Sequence, residues 1–288
     1  MSPSSPIAII DSTLGGLSVV KALRQILPKE EIVFLGDTAR GGYGSKSLET
    51  LGHYTRQLLE QIRLFTPKHV AITCNSASSA VMPAIRREFP ELSISSIVDA
   101  AARSAIDLAG ARETPLMGIV ASESTIRSKS YERAIHRRRH YARLLLRPTP
   151  LLDAIAEEGR EDEDALLRLM LRQYLNPMAD RGVNVLVLGS TWYSSLRLSV
   201  ARLLPDGIRV VDSAESCAQD VARRLQAAGL LRGGQSTGAL HCLLTDQTPR
   251  FDFHARRLLG EAVESPKVIS LDDFYRPAVA QHAIRASA

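Results

Sequence analysis

The chain has 288 residues, with 36 Lys and Arg against 31 Asp and Glu and a formal net charge of +5. Hydrophobic residues make up 45% and aromatics only 5%, so the core has to be built from Leu, Ile, Val and Ala. No apolar run approaches the ~20 residues of a membrane helix, and the opening MSPSSP lacks the charged and apolar regions of a secretory signal.

In chain order, short aliphatic runs alternate with longer helical patterns. The runs cover residues 7–11, 32–37, 69–75, 94–99, 116–122, 142–147, 183–190, 209–213 and 240–246. Helical stretches cover 16–27, 47–65, 77–89, 100–108, 124–137, 151–158, 162–181, 195–204, 215–228 and 249–259. This alternation predicts βαβ units, mainly parallel sheets and helices on both faces, an α/β fold. In such sheets ligands bind beyond the carboxyl ends of the strands.

Four of those strand ends carry polar or glycine-rich sequence. They read DSTLGG at 11–16, GDTARGGYG at 36–44, CNSAS at 74–78 and GSTWYS at 189–194. Singly, each has a plain structural explanation: an N-cap at Asp11, a glycine loop after Asp37, a buried cysteine at Cys74, a cap before a buried Trp192. Cys74 stands where a strand passes into a helix, beside free N–H groups that bind anions and lower a thiol's pKa. CNSAS and GSTWYS are built alike, an aliphatic strand followed by a small nucleophile-type residue, a polar residue and a helix. That quasi-repeat suggests two related lobes with a cleft between them.

The three cysteines, Cys74, Cys217 and Cys242, are widely spaced and odd in number; they form neither a disulfide framework nor a metal motif, and a reducing cytoplasm fits them. Cys217 and Cys242 are expected simply to pack in a helix and a strand. Much of the basic excess lies in residues 133–147, including Arg137, Arg138 and Arg139. It matches no DNA-binding motif, so nucleic acid is the weaker reading of it, and a basic helix end suiting the macrodipole the stronger.

The four motifs resemble those of the cofactor-independent glutamate racemases of the aspartate/glutamate racemase superfamily, whose pattern is DSGxGG, GDxxxxPYG, CNTAS and GCTHYP. The order and spacing agree. Residues 150–159 are similar to that family's PLxxxxxEEG segment, and the likeness spans roughly residues 7–271. It implies two facing Rossmann-like α/β lobes with the active site between them: residues 1–98 and 209–288 forming one, 99–208 the other. It further implies a small acidic amino acid, glutamate or aspartate-like, as substrate, a homodimer, and no pyridoxal phosphate or metal. In the family, two cysteines on opposite faces of the α-carbon move its proton, and the D-glutamate made supplies peptidoglycan.

Carried over by resemblance, Cys74 is one catalytic thiol and Asp11 assists it, with Glu157 on the opposite side. Ser12, Asn75, Ser76 and Thr191 would line the substrate's carboxylates and ammonium group, with Tyr43 and Gly44 near the distal carboxylate and Ser122 and Thr125 joining them. The chain departs from the pattern at the second thiol: Ser190 occupies the family's second cysteine position and Trp192 its histidine position. An alcohol is several units less acidic than a thiol and needs a neighbouring base, and an indole N–H only donates. The departure leaves open a racemase with a different second proton relay, a one-base enzyme on a carboxylic acid, and a non-catalytic binding or regulatory protein.

Overall fold

The computed structural model describes residues 2–111, 113–160 and 164–271. Among the described residues, ten strands run β1 Ile7–Asp11, β2 Ile32–Gly36, β3 His69–Ile72, β4 Ile94–Ser96, β5 Leu116–Ala121, β6 Arg143–Pro148, β7 Val185–Gly189, β8 Arg209–Asp212, β9 Leu240–Leu244 and β10 Lys267–Val268. Helices α1 to α5 are Leu17–Ile26, Leu48–Ile62, Asn75–Ala80, Met82–Glu88 and Ile97–Ala109. Helices α6 to α9 are Glu123–Arg127, Ser130–His136, Pro150–Glu158 and Ala165–Asp180. Helices α10 to α12 are Arg197–Leu203, Ser213–Ala227 and Phe251–Leu259.

The strands form two sheets, ordered β10-β9-β2-β1-β3-β4 and β6-β5-β7-β8, and every pairing is parallel. Four strands of the first sheet, β2-β1-β3-β4, have the order that β6-β5-β7-β8 repeat in the second. The quasi-repeat seen in the motifs is therefore a repeat of topology: β3, which ends before Cys74, corresponds to β7, which ends before Ser190.

Strand pairing draws the lobes slightly differently from the expected division at 208/209. β8 is hydrogen-bonded to β7, with Val185 beside Arg209 and Leu188 beside Asp212, so residues 209–212 go with the second sheet. The chain returns to the first lobe through α11, and β9 and β10 extend that sheet beyond β2. β10 is two residues long and carries no run by which its pattern could be read.

Both faces of the first sheet are covered, which is why its strands read as continuous apolar runs rather than alternating ones. Ile7 and Ile9 of β1 point into one cluster, Ala8 and Ile10 into another with Leu51 and Leu58 of α2. The first cluster continues through Ala101 and Ala105 of α5 and Ala214 and Val221 of α11 to Ile119 and Val187 of the second sheet. One core thus joins the lobes, and the alanines of α5 let the helices between them approach closely.

Two predicted helices are interrupted. Lys129 takes a left-handed conformation, φ 53°, and divides the 124–137 stretch into α6 and α7. Pro83, which has no N–H to donate to the preceding turn, restarts the 77–89 stretch as α4 after α3 ends. The basic run at 133–147 is folded back on the protein: Arg137 pairs with Asp99, while Arg138 and Arg139 donate to the carbonyls of Ala134 and Ile106. No helix of the described residues is long and apolar enough to cross a membrane.

Candidate active site

Parallel strands put their carboxyl ends on one side of each sheet, and the two sheets turn those ends toward a common cleft of about 800 Å³. Twelve of the thirteen residues singled out by sequence stand in or at its wall: Asp11, Ser12, Tyr43, Gly44, Cys74, Asn75 and Ser76 from the first lobe, Ser122, Glu157, Ser190, Thr191 and Trp192 from the second. Thr125 lies behind the wall, where its hydroxyl meets those of Ser76 and Ser122 at 3.2 and 3.0 Å.

On the first lobe, Asp11 ends β1 with its carboxylate buried. It accepts from the Thr13 N–H at 3.0 Å and the Thr73 hydroxyl at 2.7 Å, and across the cleft from the Thr191 hydroxyl at 3.4 Å. Burial pushes its pKa up to about 6, against the opposing pull of the hydrogen bonds from Thr73, Thr13 and the Ser12 backbone. Cys74 follows β3 as the N-cap of α3, and its sulfur accepts from the Ala77 N–H at 3.5 Å and the Ser12 hydroxyl at 3.1 Å.

The Cys74 thiol is only 7% exposed. Burial first, and then the charge of Asp11, push its pKa up to about 12, the Ser12 and backbone hydrogen bonds opposing them. The N–H groups of the helix act to lower it as expected, but the net direction expected from them is corrected: desolvation outweighs them.

Around the cysteine, Asn75 accepts the Tyr131 hydroxyl at 2.8 Å. Ser76 joins Ser122 at 3.0 Å and Ser124 at 2.8 Å, a cluster of hydroxyls that spans the two lobes. Gly44 lies against Ser122 so closely that an added Cβ would stand 3.1 Å from the serine Cβ. Tyr43 turns its side chain away: the hydroxyl donates to Asp37, which Arg40 also holds, and only its carbonyl faces the second lobe, accepting from Ser124 at 3.3 Å.

On the second lobe, Ser190 leaves β7 and donates its hydroxyl to the Asp153 carboxylate at 2.6 Å. Asp153 lies on α8 one turn before Glu157, so the two face the same way. Burial pushes the Asp153 pKa up to about 6, while hydrogen bonds from Ser190 and Tyr193 act to lower it and the Glu157 charge to raise it. Burial also raises the Glu157 pKa, with Arg250 working against it. Trp192 is 4% exposed, and its ring packs edge-on against His254, centroids 5.1 Å apart. It fills space rather than accepting a proton. The close fit extends to Gly15, where an added Cβ would meet the Thr191 hydroxyl at 2.7 Å and the Trp192 ring at 3.2 Å.

Sequence reading missed Asp153, Glu158, Arg250 and His254, all of which line the cleft. For Asp153 a signal was present, since Glu157 stands four residues on along one helix. Arg250 and His254 come from α12 and its N-cap and reach the cleft only through tertiary packing. Burial and the neighbouring Arg250 and Arg257 lower the His254 pKa to about 4. Cys217 and Cys242 are buried in α11 and β9, away from the cleft lining. Among the described residues, no group of three or more His, Cys, Asp or Glu side chains is placed to hold a metal ion.

Chemically, the cleft offers a thiol on one wall, a hydroxyl backed by a carboxylate on the other, and a lining rich in hydroxyl donors. Residues 7–221 match the family described as Asp/Glu/Hydantoin racemase. The glutamate racemase of Geobacter metallireducens is 32% identical over 270 residues, 94% of this chain and 98% of the relative. That of Thermus thermophilus is 35% identical over 272 residues, with the same coverage of each. Among solved structures, glutamate racemase from Francisella tularensis in complex with D-glutamate superposes with a TM-score of 0.85 at 25% identity, covering 94% of this chain and 99% of that one. The Thermus thermophilus enzyme in complex with β-chloro-D-alanine gives 0.81 at 34% identity, covering 95% and 100%.

Proposed function

The chain belongs to the Asp/Glu/hydantoin racemase family, and from that premise we propose that it is a glutamate racemase, interconverting L- and D-glutamate without a cofactor and supplying the D-isomer for peptidoglycan. The observation that carries this reading is the pairing of Cys74 and Ser190 at corresponding strand ends of two lobes, lining one cleft. Racemisation needs a proton removed from one face of the α-carbon and another delivered to the opposite face. Facing lobes with the same topology supply two such faces.

The substrate would lie between the lobes with its α-carbon over Cys74. The α-proton of an amino acid is weakly acidic, so the carbanion has to be stabilised where its charge develops. Hydroxyls of Ser12, Ser76, Ser122 and Thr191 and the N–H groups around Asn75 are available to the carboxylates, and Asp11 to the ammonium group. The charge of Asp11 opposes ionisation of Cys74. An ammonium group placed against Asp11 offsets that charge, which makes substrate binding itself the step that brings the thiol toward its basic form.

Among the described residues, the lobes as we draw them are residues 2–98 with 213–271 and residues 99–212. A homodimer remains part of the proposal. The exposed Leu166 and Leu169 of α9 and Leu198 of the neighbouring α10 support it as apolar surface that a partner copy would cover.

The direct test is incubation with L- and with D-glutamate separately, followed by chiral analysis. Both should converge on the racemic mixture with no added cofactor. Exchange of the α-proton without inversion would instead mark a one-base enzyme, and no change in either enantiomer would contradict the reading.

A further inference from the structure

We propose that Ser190 and Asp153 form a proton relay serving the face of the substrate α-carbon opposite Cys74, the serine hydroxyl passing its proton to the aspartate carboxylate. The inference rests on the racemase reading and supplies what that reading leaves open, a base in contact with the Ser190 hydroxyl. Asp153 falls among the five open positions of the PLxxxxxEEG segment, so the family pattern does not call for it.

An alcohol alone takes or gives a proton poorly near neutral pH and needs an adjacent base. Here the base is in contact. The Ser190 hydroxyl donates to Asp153 Oδ1 at 2.6 Å, the length of a short hydrogen bond to a carboxylate. Both residues line the cleft, and Ser190 follows β7 as Cys74 follows β3. Trp192, packed against His254, offers no acceptor there.

The proton count closes. In one direction, the α-proton passes to Ser190 Oγ as the serine's own proton passes to Asp153 Oδ1, and the electron pair of the C–H bond stays on the α-carbon. The carbanion then takes the Cys74 thiol proton on its other face. In the reverse direction Cys74, as thiolate, removes the proton and the protonated Asp153 returns one through Ser190. Exchange with water restores the starting protonation, and nothing is oxidised or reduced.

The setting of Asp153 suits both roles. Held near pH 6 by burial, it is ionised at neutral pH yet readily protonated. The groups that act on it are Glu157 on the same helix and Tyr193 from the turn that follows Ser190, with Tyr174 on α9 behind Tyr193; Arg250 and His254 line the same cleft from the α12 side. Glu157 adds negative charge, Arg250 offsets it, and His254 stays neutral above about pH 4.

The test compares the full chain with Asp153→Asn and Ser190→Ala. Inversion of each enantiomer and α-proton exchange in deuterium oxide are followed from pH 5 to 9. Removal of a general base is expected to lower inversion by about 10²–10⁴-fold. Exchange of the enantiomer that Cys74 deprotonates should persist in both variants. In the unaltered protein, the direction using Asp153 as base should rise with pH through about 6, and Asp153→Asn should lose that limb. A structural hydrogen bond would move neither the limb nor the balance between enantiomers. Should Asp153→Asn fail to fold, Ser190→Ala carries the same expectation. Inversion at the unaltered rate in a folded variant of either kind overturns the relay while leaving the racemase reading standing. No exchange of either enantiomer by the unaltered protein overturns both.

Discussion

Ser12 donates its hydroxyl to the Cys74 sulfur at 3.1 Å, although the two lie 62 residues apart in sequence and on different strands. The bond favours the thiolate in a site where burial and Asp11 both favour the thiol. Ser12 is thus one of the few groups acting to make Cys74 basic.

Replacing Ser12 with Ala should therefore suppress ionisation further. A hydrogen bond to a charged group contributes about 1.5–3 kcal/mol, or roughly 10–100-fold. The rate of Cys74 alkylation by iodoacetamide at pH 9 should fall within that range, with the melting temperature little changed. An unchanged alkylation rate would mean that the bond does not reach the thiolate.

Asp11 should leave its mark on stability as a function of pH. Its pKa is about 6 in the fold, above the usual carboxylate range. The folded chain keeps a proton that the unfolded chain releases, so the stability this contributes is complete below about pH 4 and is lost as pH rises through 6. Asn cannot ionise. The melting temperature of Asp11→Asn should gain on that of the unaltered chain between pH 4 and 7, by a margin worth at most about 3 kcal/mol. A difference that is flat over this range contradicts the raised pKa.

Gly15 marks how tightly the two lobes fit. A Cβ there would stand 2.7 Å from the Thr191 hydroxyl and 3.2 Å from the Trp192 ring, so Gly15→Ala has to shift the side chains that the second lobe presses against it. Overpacking of this kind costs about 1–3 kcal/mol. The variant should remain folded, as seen by circular dichroism, but lose most of its inversion activity, because the two walls no longer close on one α-carbon. Full activity would show that the cleft tolerates wider separation.

Ser190→Cys restores a thiol at the family's second position but sets it against Asp153. Two anions in hydrogen-bonding contact disfavour each other's ionisation. The single variant should invert glutamate more slowly than the double variant with Asp153→Asn, by about tenfold for each unit of thiol pKa recovered. A single variant faster than the double would mean that Asp153 does not act on the group at position 190.

The strand-end motifs were legible because parallel βα units force polar residues to the carboxyl ends of otherwise aliphatic runs. Asp11, Cys74 and Ser190 stand out there against Ile7–Ile10, His69–Ile72 and Val185–Gly189. Asp153 was not legible in the same way. It lies in a short helix between the buried Leu152 and Ile155, and its importance arises only when the end of β7 packs on that helix. The break at Lys129 had no Gly or Pro to announce it. The allegiance of β8 depended on which neighbour it bonds, a choice its own four residues do not encode. The direction of the Cys74 pKa was misread for a related reason: the helix N-terminus is visible in sequence, the depth of burial is not.

Cys74→Ser tests the two opposed faces of the site most directly. The folded variant and the unaltered chain would be held in deuterium oxide with L-glutamate and with D-glutamate separately, and the α-proton followed by NMR. The unaltered chain should exchange both enantiomers, while the variant exchanges only the one served by Ser190 and Asp153. Exchange kept in both, or lost from both, would contradict a site with Cys74 on one face and a separate proton relay on the other.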